Sequence, residues 1–239
     1  PFHLSDFLEA NEVNWKLEKL NFNPFQDEVL YLMNNFSVNP LELIHPTRNK
    51  NYFVYCNVDY LKTLNSEFSE VEIANLWRNN YQKLFKESSV LQNEISKLPQ
   101  EKNMVCHTRF TTLMGDFADT TSAVLNEKDK EILVDKILEK LNKIQQQNKD
   151  IPIYVLSDSI VFLTIIKAKT NFKTLAGTPK HVDVKSNSSS IEEHLKTFTD
   201  FYFISKSEHV FLLKIDKMYN SGFSKYAAII GNKPFTIIQ

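Results

Sequence analysis

Glycine is scarce in this chain: four occur in 239 residues, at positions 115, 177, 222 and 231. With so few, neither the GxGxxG dinucleotide fingerprint nor the GxxxxGK(S/T) phosphate loop can be written. HExxH is missing, and so is Asp-x-Asp, a common way of holding a divalent metal on a sugar-nucleotide diphosphate; no metal is expected. Cysteine is limited to Cys56 and Cys106, which lie far apart and form no CxxC pair. Cys106 falls in a strand-like run, where a buried thiol is the ordinary state. No apolar run approaches the ~20 residues that a membrane span requires. Charge of one sign is lacking too. The 28 basic and 29 acidic residues leave a net charge of −1, which removes the electrostatic case for nucleic acid as a partner. The first residue is Pro1 and not Met, so native N-terminal sequence is expected to be missing, and any targeting segment with it.

Apolar material is plentiful. Hydrophobic residues make up 42% and aromatic residues 12% of the chain, enough for a core and against wholesale disorder. The length suits one large domain or two small ones. In the front half, residues 2–8 read as a short helix capped by Ser5 or Asp6, and Asn51 to Val58 as a strand. From about Ser66 to Leu98 the apolar spacing is helical, with a break at Ser88-Ser89 and an end at Pro99. Behind these lie a strand at 103–107 and an amphipathic helix from Asn126 or Asp129 with Ile132, Leu133, Ile137, Leu138, Leu141 and Ile144 on its stripe. A buried strand at 151–156 and a helix from 160 to 167 follow. Short strands are predicted at 172–175 and 181–184, then a helix opened by a Ser190/Glu193 capping box and running to Ser205. A strand at 209–215, a helix at 225–230 and a strand at 234–238 complete the chain. This strand–helix alternation predicts an α/β fold, with a helix-rich part over 1–100 and a Rossmann-like domain over 101–239.

Three predicted loops follow strands: His107-Thr108-Arg109, Ser157-Asp158-Ser159 and Ser221-Gly222-Phe223-Ser224. In a parallel sheet, loops at the same strand ends converge on one crevice. Arg109 brings a planar fork suited to phosphate. Ser221 and Ser224 bring hydroxyls beside a helix start with free N–H groups, although helix capping is the commoner role of such serines. Asp158 can accept hydrogen bonds from a ribose or a base edge. Together they suit a nucleotide diphosphate.

In this order the three segments resemble the motifs of the inverting fucosyltransferase superfamily, which includes α-1,6-, α-1,2-, nodulation and protein O-fucosyltransferases. The first motif of that superfamily is a strand ending in His-x-Arg, here His107-Thr108-Arg109-Phe110, with Gly115-Asp116 further on. Its second is a strand followed by Ser/Thr-Asp-Asp/Ser, here Tyr154 to Ser159. The third runs from Asp200-Phe201-Tyr202-Phe203-Ile204-Ser205 to Ser221-Gly222-Phe223-Ser224. The likeness covers about residues 103–238. It departs from the family pattern at Phe110, where many members carry a second arginine, and in the longer spacing to Gly115-Asp116.

The resemblance implies a GT-B-like fold, a GDP-sugar as donor substrate with no cofactor and no metal, and inverting transfer, most simply of fucose, to a glycan hydroxyl. Residue by residue it implies that Arg109 holds the β-phosphate and His107 supports the donor or Arg109. It implies that Asp158 and Asp200 contact ribose or guanine, or orient Arg109, and that Ser157, Ser221, Phe223 and Ser224 line the donor pocket. Asp116, then Asp119, is the expected base for the acceptor. The implied setting is cytoplasmic glycan assembly, with peripheral membrane association allowed and a secretory lumen the alternative if an N-terminal anchor is missing. The rival readings are a transferase with another sugar nucleotide, such as a sialic acid or Kdo donor, and a transferase-like module that binds without catalysis. A Ser-His-Asp hydrolase is disfavoured by the lack of a Gly-x-Ser-x-Gly elbow.

Overall fold

The computed structural model describes residues 3–16, 21–44, 49–117, 123–180 and 190–239. Its centre is a parallel sheet of β5 (Met104–Thr108), β6 (Ile153–Ser157), β7 (His209–Leu213) and β8 (Phe235–Ile238), in the order β6-β5-β7-β8. Met104 is in register with Ile153 on one side and His209 on the other. The apolar runs of β5 and β6 are buried along their whole length, as strands covered on both faces must be. Met104, Cys106, Ile153, Val155, Phe211 and Leu213 face one layer, formed with α4 (Glu127–Gln147) and α5 (Ile160–Lys169). Val105, Tyr154, Leu156 and Val210 face the other, formed with α6 (Ile191–Lys206) and α7 (Gly222–Gly231). The period of two along each strand thus supplies two cores, and the result is a doubly wound α/β layer.

Local chemistry sets the helix starts. Asn126 Oδ1 accepts from Asp129 N at 2.9 Å, Ser159 Oγ from Phe162 N at 3.1 Å and Ser221 Oγ from Phe223 N at 3.2 Å. Ser190 stands at the N-cap of α6 but makes no side-chain cap bond, so the predicted capping box does not form with its hydroxyl as acceptor. The strand predicted at 172–175 shrinks to a bridge between Lys173 and Tyr154, since Gly177 and Pro179 soon turn the chain away. The strand predicted at 181–184 lies outside the described residues.

The front of the chain holds two small sheets as well as helices. β1 (Leu8–Ala10) pairs antiparallel with β4 (Phe85–Glu87), and β2 (Asp27–Leu32) pairs parallel with β3 (Asn51–Cys56). The helix predicted over residues 2–8 is instead one 3-10 turn, Leu4–Asp6. Asp6 is its third residue and not its cap, with Oδ2 accepting from His3 N at 2.6 Å. The long helical pattern resolves into α1 (Leu61–Leu64), α2 (Glu70–Leu84) and α3 (Ser89–Ser96). β4 interrupts it because Ser88 N bonds to Phe7 O at 2.9 Å while Ser88 Oγ caps α3. α2 packs on α7 and α3 on α6, so the front elements rest on the outer helices of the sheet.

Candidate active site

A cavity of about 460 Å³ opens at the carboxyl ends of β5, β6 and β7. That volume is of the order that small-molecule ligand sites occupy. His107, Arg109, Ser157, Asp158, Asp200, Ser221 and Phe223 all line it. The sequence places these residues in four separated segments, and the parallel register brings them to one crevice. Ser224 stands one step behind, with Oγ 3.1 Å from His107 Nδ1.

Asp158 organises the strand ends. Its Oδ1 accepts from Phe110 N and its Oδ2 from Thr111 N, each at 2.8 Å. Arg109 Nε lies 3.4 Å from the same Oδ2. Thr111 adopts φ +55°, a left-handed conformation uncommon for a β-branched residue, which these bonds hold in place. Burial pushes the Asp158 carboxyl up, against the opposing pull of Arg109 and the two backbone donors. Arg109 is further fixed by Phe117, whose ring centre lies 4.7 Å from its Cζ. The imidazole of His107 is pushed down to about 3, by burial first and by the Arg109 charge second. It is therefore neutral at ordinary pH. Burial also raises the carboxyl of Asp200, which pairs with Lys196 one turn earlier on α6.

Asp116 is not brought into the cavity. Its Oδ2 accepts from Ser159 Oγ at 3.0 Å and from Val161 N at 2.8 Å, so it serves the N-terminus of α5. Asp119 lies outside the described residues. Among the described residues, the carboxylates on the cavity wall are Asp158 and Asp200, each in an ion pair. No group of three or more His, Cys, Asp or Glu side chains there is disposed to hold a metal ion.

Several lining residues escaped the sequence reading. Phe198, Phe201 and Thr197 come from α6, Tyr219 from the β7–α7 loop, and Lys180 from the segment after α5. Leu8 and Tyr81 reach in from the front of the chain. Phe201 meets Phe223 edge-on at 5.3 Å and Phe198 stacks on Phe7 at 4.1 Å, so these aromatics are at once wall and core. Tyr81 Oη lies 2.6 Å from Tyr202 Oη, and burial pushes the Tyr81 phenol up to about 12. Phe201 stands beside Asp200 in the third motif, a usable signal; nothing in the sequence distinguishes the others from ordinary packing residues.

The fold is fucosyltransferase-like, an α/β architecture of the GT-B type. What carries this is the likeness to NodZ α-1,6-fucosyltransferase soaked with GDP-fucose, at a TM-score of 0.53 and 13% identity, covering 95% of this chain and 75% of that one. NodZ co-crystallised with GDP matches at a TM-score of 0.46 and 16% identity, over 74% of this chain and 50% of that one. The selenomethionine form of fucosyltransferase NodZ from Bradyrhizobium matches at 0.43 and 15%, over 75% and 50%. The chain spans about half the length of these last two. No family model and no curated protein sequence matches it.

Proposed function

We propose that the protein is a glycosyltransferase that binds a nucleotide-sugar donor, first of all GDP-fucose, in this cavity and transfers the sugar to a glycan hydroxyl with inversion and without a metal. The single observation that carries this reading is Arg109 on a cavity that also takes the N-terminus of α7 at Ser221. A guanidinium and a helix N-terminus together stabilise the charge that develops on a departing diphosphate. The acceptor hydroxyl oxygen attacks the anomeric carbon and its proton passes to solvent water, while the bond to the β-phosphate oxygen breaks and the diphosphate leaves with that electron pair towards Arg109. His107 is neutral, so it adds no competing charge; through Ser224 it ties β5 to α7 on either side of the phosphate position. Asp158 fixes Arg109, while Asp200, Phe201 and Phe223 suit the polar edge and flat faces of a nucleoside.

The test is calorimetric titration with GDP, CMP and UDP, with and without EDTA. EDTA-insensitive binding of GDP alone supports the reading, and Arg109→Ala should then weaken it by about 100-fold, the loss of a bidentate charged contact. Preference for CMP or UDP would replace the donor; binding of none by the folded protein would sink the proposal. A second reading, nucleotide binding without transfer, is favoured by one observation: the two carboxylates on the described wall are both ion-paired. Donor turnover with and without glycan acceptors separates the two.

A further inference from the structure

Among the described residues, the charge on the cavity wall does not balance as a diphosphate needs. Arg109 is paired with Asp158, which itself lines the cavity, so the pair brings no net charge to the wall. Asp200 is offset by Lys196, and His107 is neutral. Phe110, the residue after Arg109, is fully buried with its ring 4.9 Å from that of Phe162, and supplies no charge. A nucleotide diphosphate carries more than one negative charge. Lys180 is the lining cation whose carboxylate partner, Glu193, is not itself a lining residue.

We propose that Lys180 is the second cation of the donor site, exchanging Glu193 for a phosphate of the bound nucleotide; this rests on the donor-binding reading above. The backbone leading up to it is held. Thr197 Oγ1 donates to Lys180 O at 2.7 Å, Pro179 precedes it, and Gly177 at φ +97° lies so close to α6 that an added Cβ would meet Lys196 at 2.8 Å. The ammonium is not held in the same way. Its side chain is 41% exposed and that of Glu193 48%, and exposed pairs of this kind contribute little. A flexible four-carbon stem on a held base lets the charge move between two anions without a backbone rearrangement.

Calorimetry with GDP, guanosine and inorganic pyrophosphate tests this on the full chain. Lys180→Ala should weaken GDP and pyrophosphate by about tenfold, leave guanosine unchanged and flatten the salt dependence of GDP binding, while Lys180→Arg retains most of the affinity. Loss of GDP binding in Arg109→Ala but not in Lys180→Ala would overturn the assignment and keep the donor reading. Pyrophosphate binding that needs Lys180, without any preference among nucleotides, would keep the assignment and remove the guanine donor. Equal weakening of guanosine by Lys180→Ala would assign the residue to wall packing and overturn it.

Discussion

At the scale of single residues, burial decides which groups of the cavity carry charge. His107 is the sharpest case. Its folded value, about 3, lies below its ordinary 6.5, so between those two values the unfolded chain binds a proton that the folded chain does not. Stability is therefore full above pH 6.5 and is lost as pH falls towards 3, with a limiting slope of about 1.4 kcal/mol per pH unit. Urea midpoints measured from pH 7 to 4 should show this fall, and His107→Gln should flatten it; an equal fall in the variant would place the acid sensitivity elsewhere. Asp116 gives the opposite kind of test. Its oxygen serves Ser159 and Val161, and Asn keeps an acceptor in the same place. Asp116→Asn should leave turnover within a few-fold of wild type. A drop of about 100-fold or more, the scale of general-base loss, would restore Asp116 as the base.

At the scale of elements, α6 and α7 meet where no side chain fits. A Cβ built on Gly231 would lie 1.9 Å from Ser205 O, a backbone atom that cannot give way. Gly231→Ala should therefore cost about 1–3 kcal/mol in thermal or urea unfolding, in the range of overpacked cores, and should weaken nucleotide binding because α7 carries Ser221 and Phe223. Gly222→Ala meets the Tyr226 ring, a side chain and not backbone, at 3.2 Å, and should cost less than Gly231→Ala. The elements of the central sheet and α4 were legible in the sequence because each apolar run had one reading, whereas the strand predicted at 172–175 was not. β5 and β6 are short, continuous and ended by polar residues, and α4 keeps a helical stripe through Leu133, Ile137, Leu141 and Ile144. β1 and β4 were not legible: each spans three residues, too few to show a period, and exists only through its partner across the fold. The convergence of Arg109, Asp158 and Ser221 could be read from strand ends. The aromatic wall on α6 could not, since Phe198 and Phe201 keep the same spacing whether they face a core or a ligand.

At the scale of the whole molecule, α7 belongs to both parts of the chain. Its N-terminus closes the cavity, and its far end is gripped by Arg78 of α2, whose Nε donates to Ile229 O at 2.8 Å and whose guanidinium also donates to Asn232 Oδ1 at 2.7 Å. Trp77 Nε1 and Tyr226 Oη both donate to Asp59 Oδ2, at 2.9 and 2.7 Å, beside a ring contact of 4.6 Å. Arg78→Ala should lower stability by about 1–3 kcal/mol and speed hydrogen exchange in α2 and the last turn of α7. Exchange unchanged in α7 would show that the two parts are not joined through this contact. The bonds from Asp158 to Phe110 and Thr111 bear on time as well as on shape. Because they already hold the turn after β5, an arriving nucleotide need not wait for that turn to form. Its observed association rate should rise linearly with concentration in stopped flow, without the plateau that a slow rearrangement imposes.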